Sequence, residues 1–583
     1  MPPSFDLSPE AAWRDNFRMP RIASLQIAAQ HPSHALICHN ATGIYQLYAF
    51  DLETHALRQL TFNPNGTTLG AISADGHTVY YLEDAQGGQI GHFFRVDYDG
   101  SNPTDLTPEW AAYTSFYITE SYSGAFFGFM TANQLGFQMF VVDTKTGATP
   151  HLRYESDDFS VGPFLSYDAE IAVIAVSDGT LPLKFSLESY DVRGGQRLHT
   201  LKEATSVQPI GFIQRENDMR FLAMVQREGG RHPLIWNART GDTKDLMRHE
   251  ASGNFDVLDW SRDGERVLLR VINGAQTSAV IYHTKTSQIE ELGYLANCHI
   301  TSAVWHNDHL YALVDKPLVP PLVWRDRDLI LTPVMLTDKP IEMIPIAHTI
   351  NLAGKLFMYH IESTVRLVCL MTDLEGDETN SYQASFRAFL MSNIALTVVT
   401  SHFNPGNPTD SGVNKLNSDA QMMALYHHME DMFLMMNPTY KAQDTFYMGS
   451  FLAGSAVLMA AAHSQAQGKG CIIIAGYVDF EQLHASAEDE QRADIEHLLG
   501  ADTSQYQHVS PMTFADQIHL PLLIIHPLDD PRCPAAPMRE FIARVRANGT
   551  SVEVRWYTLD TPALSEQVQE WALAWMEERL GKG

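Results

Sequence analysis

Serine, histidine and carboxylate side chains are the groups with which this chain could attack an acyl bond. Whether they can act together depends on their spacing. Residues 445–462, TFYMGSFLAGSAVLMAAA, read as a short buried strand (445–448), a tight small-residue turn (449–454) and a helix rich in Ala, Leu and Met. This is the pattern of a nucleophile elbow, where a sharp strand-to-helix turn lifts one side chain above the sheet. The elbow pattern is Gly-x-Ser-x-Gly, and the register that fits the flanks is Gly449-Ser450-Phe451-Leu452-Ala453-Gly454. It places Phe451 at the nucleophile position, and a phenyl ring cannot attack a carbonyl. Ser450 comes one residue early, and in its own frame Leu452 stands where a glycine is needed.

A displaced nucleophile at Ser450 or Ser455 would need a base from His402, His463, His484 or His508. Serines at tight turns and helix starts also have a purely structural use. Cys471 opens an apolar run, CIIIAG, and reads as core. His427-His428-x-Glu430 lacks the H-E-x-x-H spacing of a zinc site and reads as the polar face of an amphipathic helix. The acidic run 373–378 has no EF-hand spacing. No phosphate loop or dinucleotide fingerprint is present, so neither metal nor cofactor is expected. No histidine follows His526.

The elements that would position these groups fall into two regimes. From residue 22 to about 332, short alternating strands are separated by polar turns. They recur as a strand ending in Asp or Asn, as in YAFDLETHALRQLT (48–61), and as Asp-Gly turns before apolar strands, as in SADGHTVYYL (73–82) and SRDGERVLLRV (261–271). SYDAEIAVIAV (166–176) is a worn copy of the second piece. A period of about 40–47 residues over about 310 residues predicts a β-propeller of roughly seven blades. Apolar strands then alternate with amphipathic helices, among them 419–436, 537–548 and 563–580, which predicts a mostly parallel, doubly wound sheet. The expected domains are an N-terminal helical segment (1–20, helix over 9–17), a propeller (21–335) and an α/β domain (336–583).

Length alone calls for about two to four domains. A hydrophobic share of 45% and a charged share of 19% are those of a globular protein. The net charge of −29 argues against nucleic acid and anionic membranes as partners. No apolar run approaches the roughly 18–20 residues of a membrane span, and the N-terminus shows no signal peptide. Cys38, Cys298, Cys369, Cys471 and Cys533 have no C-x-x-C pairing and read as free thiols of a cytoplasmic protein.

A propeller followed by such a sheet, with YQHVSPMTFADQIHLPLLIIHPLDDPRCPAAPMREFIARVRANGTSVEVRWY (506–557), resembles the prolyl oligopeptidase family of serine peptidases. In that family a propeller accompanies a C-terminal α/β-hydrolase domain. The resemblance implies that Asp530, in Asp529-Asp530-Pro531-Arg532-Cys533-Pro534, stands at the position of the triad acid. It implies a histidine on the loop beyond SVEVRWY, where the chain reads Tyr557-Thr558-Leu559-Asp560-Thr561-Pro562-Ala563 and Pro562 is the nearest match. His526 matches a position the family often fills with a structural histidine. Without an imidazole to orient, Asp530 reads as a cap of the helix that starts near Pro534. The family's His-Gly-Gly-Pro turn is replaced by Asp373-Leu374-Glu375-Gly376-Asp377-Glu378, whose carboxylates would repel a developing oxyanion. After IALTVVTS, His402-Phe403-Asn404-Pro405-Gly406 lacks the family's Arg-Gly.

The expectation is a catalytically silent prolyl oligopeptidase-like body that acts as a binding or scaffold pseudoenzyme. It would hold a peptide or small molecule between its domains, with no nucleic acid or membrane partner and an oligomeric state left open. The alternative is an active serine hydrolase of short peptides or esters with a relocated triad.

Overall fold

The computed structural model describes residues 4–332, 348–350, 354–359, 363–373, 381–402, 444–463 and 468–581, apart from short gaps at 86–87, 135, 145–149, 180–183, 228–229, 248–253, 274–275, 297, 489–490, 493–494, 497–498 and 501. The expected helix 419–436, the His427-His428-x-Glu430 group and most of the acidic and 402–406 turns lie outside the described residues. The chain divides into two compact units, residues 20–335 and residues 1–19 together with 336–583.

The first unit is a β-propeller. Five separate four-stranded antiparallel sheets span residues 22–59, 160–201, 208–245, 254–291 and 299–331. This corrects the expected count of about seven blades. Between the first two of these sheets, residues 70–156 form one nine-stranded sheet. The short strand Tyr113–Thr114 is the cause: it pairs with Ile90 and Gly91 on one side and with Ala132 on the other, joining strands that a repeat count would place in separate blades.

The Asp-Gly repeats have a common geometry. In 73–78 the Ser73 hydroxyl donates to Asp75 at 2.6 Å and accepts from Thr78 N–H, with Gly76 in the left-handed region at φ 75°. In 261–266 Ser261 does the same with Asp263 and Arg266, around Gly264 at φ 72°. The Ser121 and Ser166 hydroxyls likewise accept from Phe126 and Ile171. The worn copy carries Ala169 at φ 55° where its relatives carry glycine. The ring closes by side-chain packing: Ile22, Leu25 and Phe50 of the first sheet bury against Tyr311, Leu313 and Val323 of the last.

The second unit is built on an eight-stranded sheet in the order His348–Ile350, Gly354–Tyr359, Ala395–His402, Arg366–Asp373, Thr445–Ser450, Gly470–Ile474, Leu522–Pro527, Val552–Tyr557. The last six are mutually parallel, and Gly354–Tyr359 runs antiparallel to both of its neighbours, His348–Ile350 and Ala395–His402. Strands such as Leu522–Pro527 are buried throughout, as a sheet covered on both faces requires. The helix Phe451–His463 is buried from Leu452 to Ala461. Its small residues allow that fit: a Cβ on Gly454 would lie 3.1 Å from the Gly476 Cα.

The N-terminal segment is a 3-10 turn, Ala12–Arg14, and one helical turn, Asp15–Arg18, instead of the continuous helix expected over 9–17. It docks on the terminal helix Leu564–Gly581. Arg14 reaches Glu566 at 2.9 Å and Glu570 at 2.8 Å, and Arg18 reaches Glu566 at 2.6 Å. The Arg14 and Glu566 side chains are 8% and 10% exposed, so the pair is desolvated. Arg14→Ala is expected to cost about 2 kcal/mol, below the roughly 3–5 kcal/mol of a fully orphaned buried charge, because Arg18 still neutralises Glu566. A lowered denaturation midpoint checks this, and an Arg14→Lys variant should recover only part of the loss.

Candidate functional site

In an open α/β sheet, ligands collect at the carboxyl ends of the strands. Four adjacent strand ends define that edge here: Ser450, Ile474, Pro527 and Tyr557.

At the first, strand passes to helix with no intervening residue: the strand runs to Ser450 and the helix starts at Phe451. The turn is sharper than the six-residue turn expected from the sequence. Phe451 takes the strain, with φ 48° in a region that costs a residue with a Cβ about 1–2 kcal/mol. Its ring is 41% exposed and lies 6.1 Å from the ring of Tyr477. The elbow geometry is therefore present, and it presents a hydrocarbon ring. Gly449 makes it possible: a Cβ there would sit 2.5 Å from the Ala453 carbonyl oxygen.

Ser450 is exposed, and its backbone pairs with Ile474. Ser455 is fully buried and donates to the Tyr477 carbonyl at 2.6 Å, a helix-anchoring bond. Two of the four candidate bases are engaged elsewhere. His484 bonds Glu496 at 2.8 Å, and His463 packs edge-on against Phe514 at 4.2 Å. His508 lies in the short helix Tyr506–Val509, and the side chain of His402 is outside the described residues. Cys471 is buried in its strand, and burial pushes its thiol up to about 12.

Asp530 is buried, with its carboxylate 3% exposed. It does not cap the helix Ala535–Ala547, whose first turn receives no side-chain bond. It accepts instead from Arg532, through the backbone N–H at 3.0 Å, Nε at 3.1 Å and Nη2 at 2.9 Å. The Arg532 guanidinium, before any other influence, holds the Asp530 carboxyl below its usual range. The carboxylate is thus engaged in a two-pronged ion pair with an exposed guanidinium. Sequence reading missed this partner; an arginine two residues after the acid, across a proline, was the available signal.

The loop beyond Val552–Tyr557 does come alongside. Leu528 N–H donates to the Tyr557 carbonyl at 2.8 Å, and Leu559 N–H donates to Asp529 Oδ1 at 3.0 Å. Thr558 closes the loop on itself through Asp560 at 2.6 Å. Pro562 is exposed, and its carbonyl accepts from Gln567. No imidazole lies on this loop.

Among the histidines with described side chains, His526 lies near the end of the strand Leu522–Pro527 at this edge, and it is sealed. It is 1% exposed, lies edge-on to Trp556 and sits 3.7 Å from Cys533 Sγ. Burial lowers its imidazole to about 4 and raises the Cys533 thiol to about 12. Both are neutral at pH 7, and Cys533 donates to the Ala475 carbonyl at 3.0 Å, so the pair is no thiolate–imidazolium dyad.

Beside the exposed Ser450, Asp529 and Arg532, the edge also offers apolar surface. Phe451, Leu528 and Leu559 are 41%, 45% and 51% exposed at three of the strand ends. Tyr477 follows the strand between the first two of these. Among the described residues no group of His, Cys, Asp and Glu could hold a metal, and no helix is long and apolar enough to cross a membrane.

No protein-family model matches the sequence. Solved structures do match it over nearly its whole length. Acylaminoacyl peptidase of Pyrococcus horikoshii is 13% identical, covers 97% of each chain and superposes with a TM-score of 0.76. A puromycin-hydrolyzing peptidase of Mycobacterium tuberculosis is 13% identical over 99% of this chain and 97% of its own, with a TM-score of 0.74. A prolyl endopeptidase is 11% identical over 98% and 91%, with a TM-score of 0.70. The fold is that of prolyl oligopeptidase-type peptidases, a propeller with an α/β-hydrolase domain, in line with the resemblance read from the sequence.

Proposed function

We propose that this chain is a pseudoenzyme: a peptidase-type body that binds a ligand at the carboxyl edge of its sheet and does not hydrolyse it. The observation that carries the reading is that inert residues stand at two of the three triad positions. Phe451 stands on the strained elbow and the loop bearing Pro562 has no imidazole, while the retained acid Asp530 is ion-paired to Arg532. Loss of the serine or the histidine alone costs on the order of a million-fold in kcat in the well-studied serine proteases. The exposed phenyl and leucine side chains favour an apolar side chain of a short peptide, or a small molecule of similar character, as ligand. The neighbours act on peptides or on puromycin by their names, which fits that class. Five buried free cysteines support a reducing, cytoplasmic setting.

The competing reading makes Ser450 a displaced nucleophile, and its exposure is the observation in favour. Hydrolysis of aminoacyl- and prolyl-chromogenic substrates between pH 6 and 9 separates the two. The pseudoenzyme predicts the buffer rate for wild type and also for Phe451→Ser, since a serine on the elbow would still lack a base. Turnover by wild type that Ser450→Ala abolishes would establish the competitor.

A further inference from the structure

In four of the propeller repeats the turn after the first strand begins with a serine and places its second residue in an equivalent position: Ala74 after Ser73, Tyr122 after Ser121, Tyr167 after Ser166 and Arg262 after Ser261. Ala29 is the counterpart in the first sheet, because Ala28 N–H closes onto the His34 carbonyl as Ser73 N–H closes onto Thr78. All these turns therefore lie on one rim of the propeller, around one mouth of its central channel.

Tyr122 does not stay within its own sector of that rim. Its hydroxyl donates to the Ala29 carbonyl at 3.2 Å, and its own carbonyl accepts from Gln30 Nε2 at 2.7 Å. Its ring stacks on Tyr167 at 5.5 Å and carries the Arg262 guanidinium 4.8 Å from its centre. The strand Ile118–Glu120 that leads to Tyr122 lies beside the first strands Gly70–Ile72 and Ser160–Leu165. Ala29 and Arg262 belong to turns beyond those neighbours in both directions round the ring. Together the tyrosine and the arginine therefore bridge turns on opposite sides of the mouth. Arg262 has no carboxylate partner among the described residues, so the ring face is the contact that holds it there.

We propose that Tyr122 is a latch that closes this mouth of the propeller channel, held by the turn at Ala29–Gln30 on one side and by Arg262 on the other. Solutes then reach the channel interior from this end only when the latch swings out. Small second residues, as at Ala29 and Ala74, leave the mouth open; the aromatic and guanidinium groups fill it.

The test uses the full chain with one of two reporter cysteines, Thr119→Cys three residues from the latch or Thr301→Cys near the start of the strand His299–His306, at the channel's other end. The native cysteines are all buried and give a low background. With N-methylmaleimide as probe, Tyr122→Ala and Arg262→Ala should each speed modification at position 119 by about tenfold and leave position 301 unchanged. Tyr122→Phe keeps the ring and its contact with Arg262 but loses the hydroxyl bond to Ala29, so it should fall between wild type and Tyr122→Ala. No change at 119 in either alanine variant would overturn the latch. So would an equal rise at both reporters, which would mean that the variants loosen the whole propeller.

Discussion

Gly449→Ala is expected to destabilise the α/β unit by about 3 kcal/mol or more, the largest effect of any single substitution considered. The added methyl would lie 2.5 Å from the Ala453 carbonyl oxygen and 2.9 Å from the Gly454 nitrogen. These are backbone atoms of the buried helix, which cannot rotate away as a flexible side chain would. Overpacking a tight site costs about 1–3 kcal/mol when side chains can give, and more when backbone must. The elbow's strained residue follows two positions later, so any shift has to be absorbed where φ is already 48°. Chemical denaturation followed at the α/β unit would check this. A loss under 1 kcal/mol would mean that strand and helix are not locked as described.

The second large effect is acid sensitivity centred on His526. Burial depresses its imidazole to about 4 from 6.5, and the unfolded chain titrates at the ordinary value. The folded state binds fewer protons than the unfolded state between those values, so stability is fully present above about pH 6.5. It falls as pH drops and is lost by about pH 4. The span amounts to about 3 kcal/mol, from 1.36 kcal/mol per pKa unit. Burial also lowers His31, His39, His232 and His306 in the propeller, so the wild-type slope sums several groups. The informative quantity is the difference between wild type and His526→Gln. Their unfolding free energies should converge by about 3 kcal/mol between pH 7 and pH 4; parallel curves would mean that the imidazole is not sealed.

The chain's own words carried the frame well and the contacts poorly. Apolar strands 470–474 and 522–527 announce a covered parallel sheet because both faces must be greasy. The Ser-x-Asp-Gly turns announce repeats because hydroxyl, carboxylate and left-handed glycine each serve one fixed bond. The elbow's place was legible, since only small side chains tolerate that approach, but its span was not: the helix starts at Phe451 with no six-residue turn before it. The blade count was not: a two-residue strand at Tyr113–Thr114 fuses sheets through backbone bonds that leave no side-chain pattern. The Asp530–Arg532 pair escaped because a two-residue spacing looks like any loop, and the guanidinium's direction is set by how the turn folds. The latch escaped for another reason. Tyr122 and Arg262 are unremarkable surface residues until the ring closes and brings them face to face.

Intact-mass analysis after incubation with a fluorophosphonate is the most direct test of the proposal that the peptidase-type scaffold has lost its nucleophile and its base. A pseudoenzyme should keep an unmodified mass as wild type and as Ser450→Ala alike, under conditions that fully label an active serine hydrolase. A stoichiometric adduct on wild type, mapped to Ser450 or Ser455 and abolished by its alanine substitution, would contradict it.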